Sequence, residues 1–141
     1  MPSSHPMTEA PKRKRRWVRW VIGLQLLFER SEEDDTGCLG IVAGTVRRFT
    51  EAADRPVPHM GWNQVAITRQ SPLLAEVPDG SYFYFVHSYA AGPGPATIGR
   101  TDYGWPFSSV VESDNFLATQ FHPERSGSLG ARVLANFLTR Y

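Results

Sequence analysis

Eight residues, YFYFVHSY at 82–89, constrain this chain more than any other stretch. Aromatic and β-branched side chains follow one another with almost no polar break. A run of that kind and length suits a strand covered on both faces. Pro-Asp-Gly at 78–80 supplies the turn before it, and AAGPGPA at 90–96 reads as a flexible loop after it. A chain carrying such a strand must build a sheet and then cover it. With 141 residues, 41% apolar and 21% charged, there is material for one domain with a buried core.

Other segments supply candidate neighbours. WVRWVI at 17–22 is short, aromatic and β-branched and reads as a strand that Gly23 ends. LQLLFERSEE at 24–33 predicts a helix, because Leu24, Leu27 and Phe28 fall on one face. CLGIVAGTVRRF at 38–49 offers two short strands around Gly44, EAADRPVP at 51–58 a loop, and WNQVAI at 62–67 a strand. In SPLLAEVPDG at 71–80 a helical turn is expected, with Ser71 as N-cap and Pro72 at its first position. TIGRTDYG at 97–104, PFSSVVES at 106–113 and FLATQFH at 116–122 read as three strands, with turns at 104–106 and 114–115. A final helix begins near Ser128, with Leu129, Val133, Leu134, Phe137 and Leu138 as its apolar stripe. The pattern is that of a layered α/β domain with more strands than helices.

Charge and cysteine content exclude several classes. The net charge of +1 is too balanced for a domain built to bind nucleic acid. KRKRR at 12–16 holds a third of the basic residues, and MPSSHPMTEAP at 1–11 is rich in Pro and Ser. Together they read as a disordered basic leader over 1–16, a solvated tail rather than a nucleic-acid site, ahead of a partial domain over 17–141. Cys38 is the single cysteine, so no internal disulfide forms, which suits a reducing compartment. No apolar run reaches membrane-spanning length, and the N-terminus lacks the apolar core of a signal peptide.

The chemistry-bearing residues are few. His122 and Glu124, in QFHPERSG at 120–127, stand two apart at an expected strand end, where i and i+2 share a side. A carboxylate there fixes the imidazole tautomer and raises its basicity, which suits a base waiting for a nucleophile's proton. His87 closes the apolar strand, either as a satisfied buried histidine or as a strand-end residue at a cleft. His59, after two prolines, reads as a loop or interface residue, and Trp62 as an anchor. Cys38 is a poor nucleophile: acidic SEEDDT precedes it, strand-like IVAG follows, and nearby carboxylates raise a thiol's pKa. One Cys and four scattered His match no zinc spacing, and no glycine loop suits a phosphate.

Four stretches combine into a resemblance. GLQLLFERSEE at 23–33, VPHMGWNQV at 57–65, SPLLAEVPDGSYFYFVHSY at 71–89 and QFHPERSG with the later NFL at 136–138 resemble the glutaminase subunits of imidazole glycerol phosphate synthase. PHMGWNQ followed by YFVHSY is particular to those subunits. The wider class I glutamine amidotransferases share the glutamine-site features and the His-x-Glu pair. The resemblance implies an α/β fold of the doubly wound class I glutamine amidotransferase type, here incomplete, with a mixed sheet and flanking helices. It implies a Cys-His-Glu triad whose thiolate attacks the side-chain amide of L-glutamine, giving a glutamyl thioester and ammonia. It also implies a cytoplasmic heterodimer with a TIM-barrel cyclase, which takes the ammonia for histidine biosynthesis, and no cofactor or metal. Under it His122 and Glu124 match the catalytic His and Glu. Gln25 matches the glutamine-binding residue after the nucleophile elbow, and Glu33 the acid that holds the substrate's amino group. His87, Ser88 and Tyr89 match the segment lining the glutamine site at the partner interface.

The chain departs from the family at the elbow, written Gly-x-Cys-x-Gly-x-Gln. Counting back from Gln25, Gly23 is the second glycine, the cysteine position is Val21, and the first glycine is Arg19. The 22 residues before Gly23 resemble none of the β-α units or the oxyanion loop found there in the family. The expectation is an N-terminally truncated glutaminase that is inactive alone, or a non-catalytic fragment that docks on the cyclase barrel. Removing covering units predicts a marginal, aggregation-prone monomer with an exposed apolar patch.

Overall fold

The structure, a computed structural model, describes residues 16–18, 24–25, 27–32, 36–37, 39–40, 42–114 and 116–140. Among them ten strands form two sheets. The larger runs in the order β1 (Arg16–Val18), β10 (Phe116–Thr119), β9 (Pro106–Ser113), β8 (Thr97–Asp102), β5 (His59–Ile67) and β6 (Ser81–His87). The smaller runs β3 (Thr36–Gly37), β2 (Phe28–Ser31), β4 (Val42–Arg48) and β7 (Tyr89–Ala91). β1 on β10 and β2 on β4 are parallel, and the other pairs are antiparallel. Helix α1 (Gly127–Arg140) and 3₁₀ turns at Pro72–Leu74 and Pro123–Arg125 accompany the strands. This is the expected mixed sheet with a flanking helix. The basic leader lies outside the described residues up to Arg16, where β1 opens.

The aromatic run forms β6, but its burial alternates. Phe83, Phe85 and His87 are buried, while Tyr82 is exposed and Tyr84 and Val86 are half-buried. The expectation of cover on both faces is therefore corrected: period-2 alternation buries one side only. Phe83 and Phe85 join Phe49, Phe107, Phe121 and Val133 in one apolar core. A second core gathers Leu24, Leu27, Phe28, Val46, Ala91, Val111 and Ala118.

The helix expected over 24–33 holds only at its start, where Leu24 and Gln25 are helical, and gives way to strand from Phe28 to Ser31. Leu24, Leu27 and Phe28 are all buried, as their spacing implied, but a turn from Leu27 N–H to the Leu24 carbonyl (3.1 Å) achieves it. Parallel pairing with β4 then outweighs local helix propensity. Nor does Gly44 split its segment into two strands. It sits at φ 129° inside continuous β4, where the register slips from Phe28↔Val42 to Arg30↔Thr45. Such a bulge suits glycine, and the Phe28 ring lies 3.3 Å from where a Cβ would stand.

Two further elements follow the sequence closely. The Ser71 hydroxyl accepts from Leu73 N–H at 3.2 Å with Pro72 next to it, as an N-cap does. Helix α1 packs on that turn through Asn136, whose amide donates to the carbonyls of Leu73 (3.0 Å) and Ala75 (2.7 Å). The apolar stripe needs one correction: Leu138 is 76% exposed, and buried Asn136 holds the face beside Val133.

Candidate functional site

The site begins where β10 ends. The Thr119 hydroxyl donates to the Phe121 carbonyl at 2.9 Å, and the Phe121 ring stacks on Phe83 at 4.1 Å. His122 N–H donates to the Tyr84 carbonyl at 2.9 Å. Ser126 closes the loop: its hydroxyl donates to the His122 carbonyl (2.6 Å) and accepts from Tyr84 N–H (3.0 Å). Strand β6 thereby fixes the backbone on both sides of the Pro123–Arg125 turn. That turn folds Glu124 back, placing Oε1 3.0 Å from His122 Nδ1. The two side chains meet through a 3₁₀ turn capped by His122, so the strand-alternation argument for their pairing is corrected. A carboxylate only accepts, so Nδ1 carries a proton and Nε2 is the nitrogen left to exchange one.

Strand β6 also carries the second group. Its last residue, His87, donates from Nδ1 to the Tyr89 carbonyl at 3.0 Å. The same oxygen accepts from Nε2 of buried Gln25 at 3.0 Å. Between them the Ser88 carbonyl accepts from Phe49 N–H at 3.0 Å. Burial pushes the His87 imidazole down to about 3; the Tyr89 carbonyl opposes this, while His59 and His122 lower it further. Of the sequence-predicted residues, the structure joins His122 to Glu124, and Gln25 to Tyr89 and His87. Glu33, Val21 and Cys38 lie outside the described residues. Among the described residues no group of three His, Cys, Asp or Glu could hold a metal ion, and no helix is long and apolar enough to cross a membrane.

His59 is a residue that sequence reasoning underrated. It is no loop residue: β5 pairs it with His87 across the strands, and its Nδ1 lies 2.9 Å from His87 Nε2. Burial lowers its imidazole to about 4. The available signal was that PHMGWNQ and YFVHSY each carry one histidine at a strand end, which an antiparallel hairpin places opposite one another. On the other face of the same hairpin, Met60 (63%), Trp62 (54%) and Tyr82 (55%) are exposed. Trp62 packs edge-on against Tyr84 at 5.9 Å, and Arg125 covers the Tyr84 ring at 5.3 Å.

Residues 22–141 match the family model for class I glutamine amidotransferases. The chain belongs to that family. Among curated relatives, it is 53% identical over 117 residues to the imidazole glycerol phosphate synthase subunit HisH of Xylella fastidiosa strain Temecula1, covering 83% of this chain and 58% of that protein. Subunit HisH of Yersinia pseudotuberculosis is 48% identical over 118 residues (83% and 60%). That of Pasteurella multocida is 46% identical over 117 (83% and 59%). The chain thus spans less than two thirds of the length of these amidotransferase relatives. A crystal structure from Thermoplasma acidophilum, described as one of the subunits of GMP synthase, superposes with TM-score 0.53 at 16% identity, over 67% of this chain and 47% of that one. At that identity the likeness speaks for the fold alone. The family match starts at Ile22, one residue after Val21.

Proposed function

We propose that this chain is a glutaminase subunit of imidazole glycerol phosphate synthase, acting in the cytoplasm in histidine biosynthesis beside a TIM-barrel cyclase. The observation that carries this reading is the His122–Glu124 contact at 3.0 Å on a turn fixed to β6. In the family reaction a thiolate attacks the amide carbon of L-glutamine and ammonia leaves with a proton from the imidazole. Water then attacks the thioester carbon as the neutral ring takes a proton from it; glutamate is released and the thiolate and protonated ring are restored. His122 has the fixed orientation for this role, with Glu124 as its orienting partner. Gln25, Glu33, His87, Ser88 and Tyr89 form the substrate-binding set.

Val21 supplies no lone pair for the attack. In the parallel register of β1 on β10, Val18 lies opposite Ala118. This chain therefore binds in the manner of a glutaminase but does not turn glutamine over. A glutaminase assay with the cyclase and its nucleotide ligand present tests it. Ammonia release no faster than without the chain is expected, and turnover above that background overturns the inactivity.

A second reading, a non-catalytic fragment that docks on the cyclase, is favoured by one observation: Met60, Trp62 and Tyr82 present exposed apolar surface on one hairpin. Docking predicts co-purification with the cyclase, and its failure removes this reading.

A further inference from the structure

Three side chains, those of Asn63, His59 and His87, lead from β5 to the Tyr89 carbonyl, and the polarity of every step is determined. At one end the Asn63 amide is oriented by main chain: its oxygen accepts from Gln64 N–H at 2.7 Å, and its nitrogen donates to the Asp102 carbonyl at 2.9 Å. That nitrogen also faces His59 Nε2 at 3.3 Å, which must therefore accept. His59 Nδ1 then carries the proton and donates to His87 Nε2 at 2.9 Å. His87 Nδ1 in turn donates to the Tyr89 carbonyl, which can only accept. The second donor on that oxygen is Gln25.

The rings are fixed as well as the protons. His59 lies between Tyr103 at 4.0 Å and Phe85 at 5.1 Å, both stacked with 21° between planes. Phe49 stands edge-on to His87 at 5.1 Å. Both histidines are 4% exposed, so water does not substitute for the missing half of a broken bond. Two phenyl rings would fill this space without the cost of desolvating imidazole. What the imidazoles add is a directional hydrogen bond delivered to one carbonyl.

We propose that His59 and Asn63 are positioning residues for the glutamine pocket: they set the tautomer of His87, which holds the Tyr89 carbonyl against Gln25. This rests on the reading of Gln25 and Tyr89 as substrate-binding residues.

The test combines nitrogen-15 spectra of the histidine-labelled full chain with calorimetric titration of L-glutamine. In the unaltered chain both His59 and His87 should carry the proton on Nδ1. His59→Phe keeps the stacked ring and removes the donor; His87 should lose its single tautomer and L-glutamine affinity should fall about tenfold. His59→Asn returns a donor near the place of Nδ1 and should restore most of both. A proton on Nε2 of His87 in the unaltered chain, or unchanged L-glutamine binding by a folded His59→Phe chain, overturns the proposal. If the unaltered chain takes up no L-glutamine, the substrate-binding reading fails instead, and the spectra still decide whether the relay exists.

Discussion

His122 and Glu124 touch at 3.0 Å across a single proline, and neither side chain lies on a strand. Their geometry comes from the 3₁₀ turn, from two hydrogen bonds that tie it to Tyr84 of β6, and from the Ser126 hydroxyl that closes it on the His122 carbonyl. The carboxylate orients a ring that its own backbone already holds. Glu124→Ala should therefore release the His122 tautomer without moving the turn. Nitrogen-15 spectra should show His122 passing from one tautomer to a mixture, with stability changed by less than about 1 kcal/mol because the pair is partly exposed. Retention of the single tautomer would show that Glu124 does not set it.

The turn is held from below by Gly130. A Cβ on this residue would collide with the Pro123 carbonyl and lie 2.8 Å from Ser126 Cβ, so helix and turn cannot both keep their places. Gly130→Ala should cost about 1–3 kcal/mol and shift the His122 resonances. Gly92→Ala is the control, since nothing lies within 4 Å of its added methyl. Urea unfolding of the two variants makes the comparison, and equal midpoints would refute the clash.

Asn136 should behave as a donor and not as a space-filler. Removing its amide leaves the Leu73 and Ala75 carbonyls without it inside the core. Asn136→Ala should cost about 3 kcal/mol. Asn136→Asp keeps the shape but turns a carboxylate toward two carbonyl oxygens, so it should be at least as damaging. Denaturant midpoints that rank Asp close to the parent chain would contradict this.

The buried histidines predict an acid limb in the stability curve. Both imidazoles titrate below their ordinary 6.5, His59 at about 4 and His87 at about 3, mainly because burial penalises the charged ring. The unfolded chain thus takes up protons first. Their contribution is fully present above pH 6.5 and is lost as pH falls toward 4 for His59 and 3 for His87. The surroundings reinforce this: His59 meets Tyr103 and Phe85, and His87 meets Phe49 and Phe107 with His122 nearby. Over those spans the shifts correspond to roughly 3 kcal/mol for His59 and roughly 5 kcal/mol for His87. His59→Phe should flatten the acid limb, as measured by urea unfolding at stepped pH, and an unchanged slope would argue against a neutral buried His59.

Much of this was legible in the residues, and the failures share a cause. The Ser71-Pro72 cap, the three strands between Thr97 and Thr119 and the final helix are local signals, and each formed where expected. The segment after Gln25 misled because Leu24, Leu27 and Phe28 satisfy a helical spacing, while the pairing of β2 with β4 is a long-range fact. His59 misled for the same reason: its partner His87 is 28 residues away, and only strand register brings them together. The pairing of His122 with Glu124 was legible, yet it arises from a turn where strand alternation was expected, because β10 ends at Thr119 and Pro123 opens a 3₁₀ turn.

The apolar face of the β5–β6 hairpin makes the last prediction. Met60 and Trp62 alternate with inward residues on β5, so the pleat places both on one side, and Tyr82 follows from β6 opposite Gln64. Side chains this large gain about 1.5–3 kcal/mol each from being covered. A free chain that leaves them in water should bind a hydrophobic dye and scatter light at rising concentration. Replacing Met60 and Trp62 together by Ser should suppress both signals. Because neither side chain is buried, the thermal transition should move by no more than the equivalent of about 0.5 kcal/mol per site. Self-association that persists in the double variant would place the adhesive surface elsewhere. A parent chain that melts sharply as a monomer without binding dye would show that the hairpin face is already covered, and that the expected marginal stability does not describe this protein.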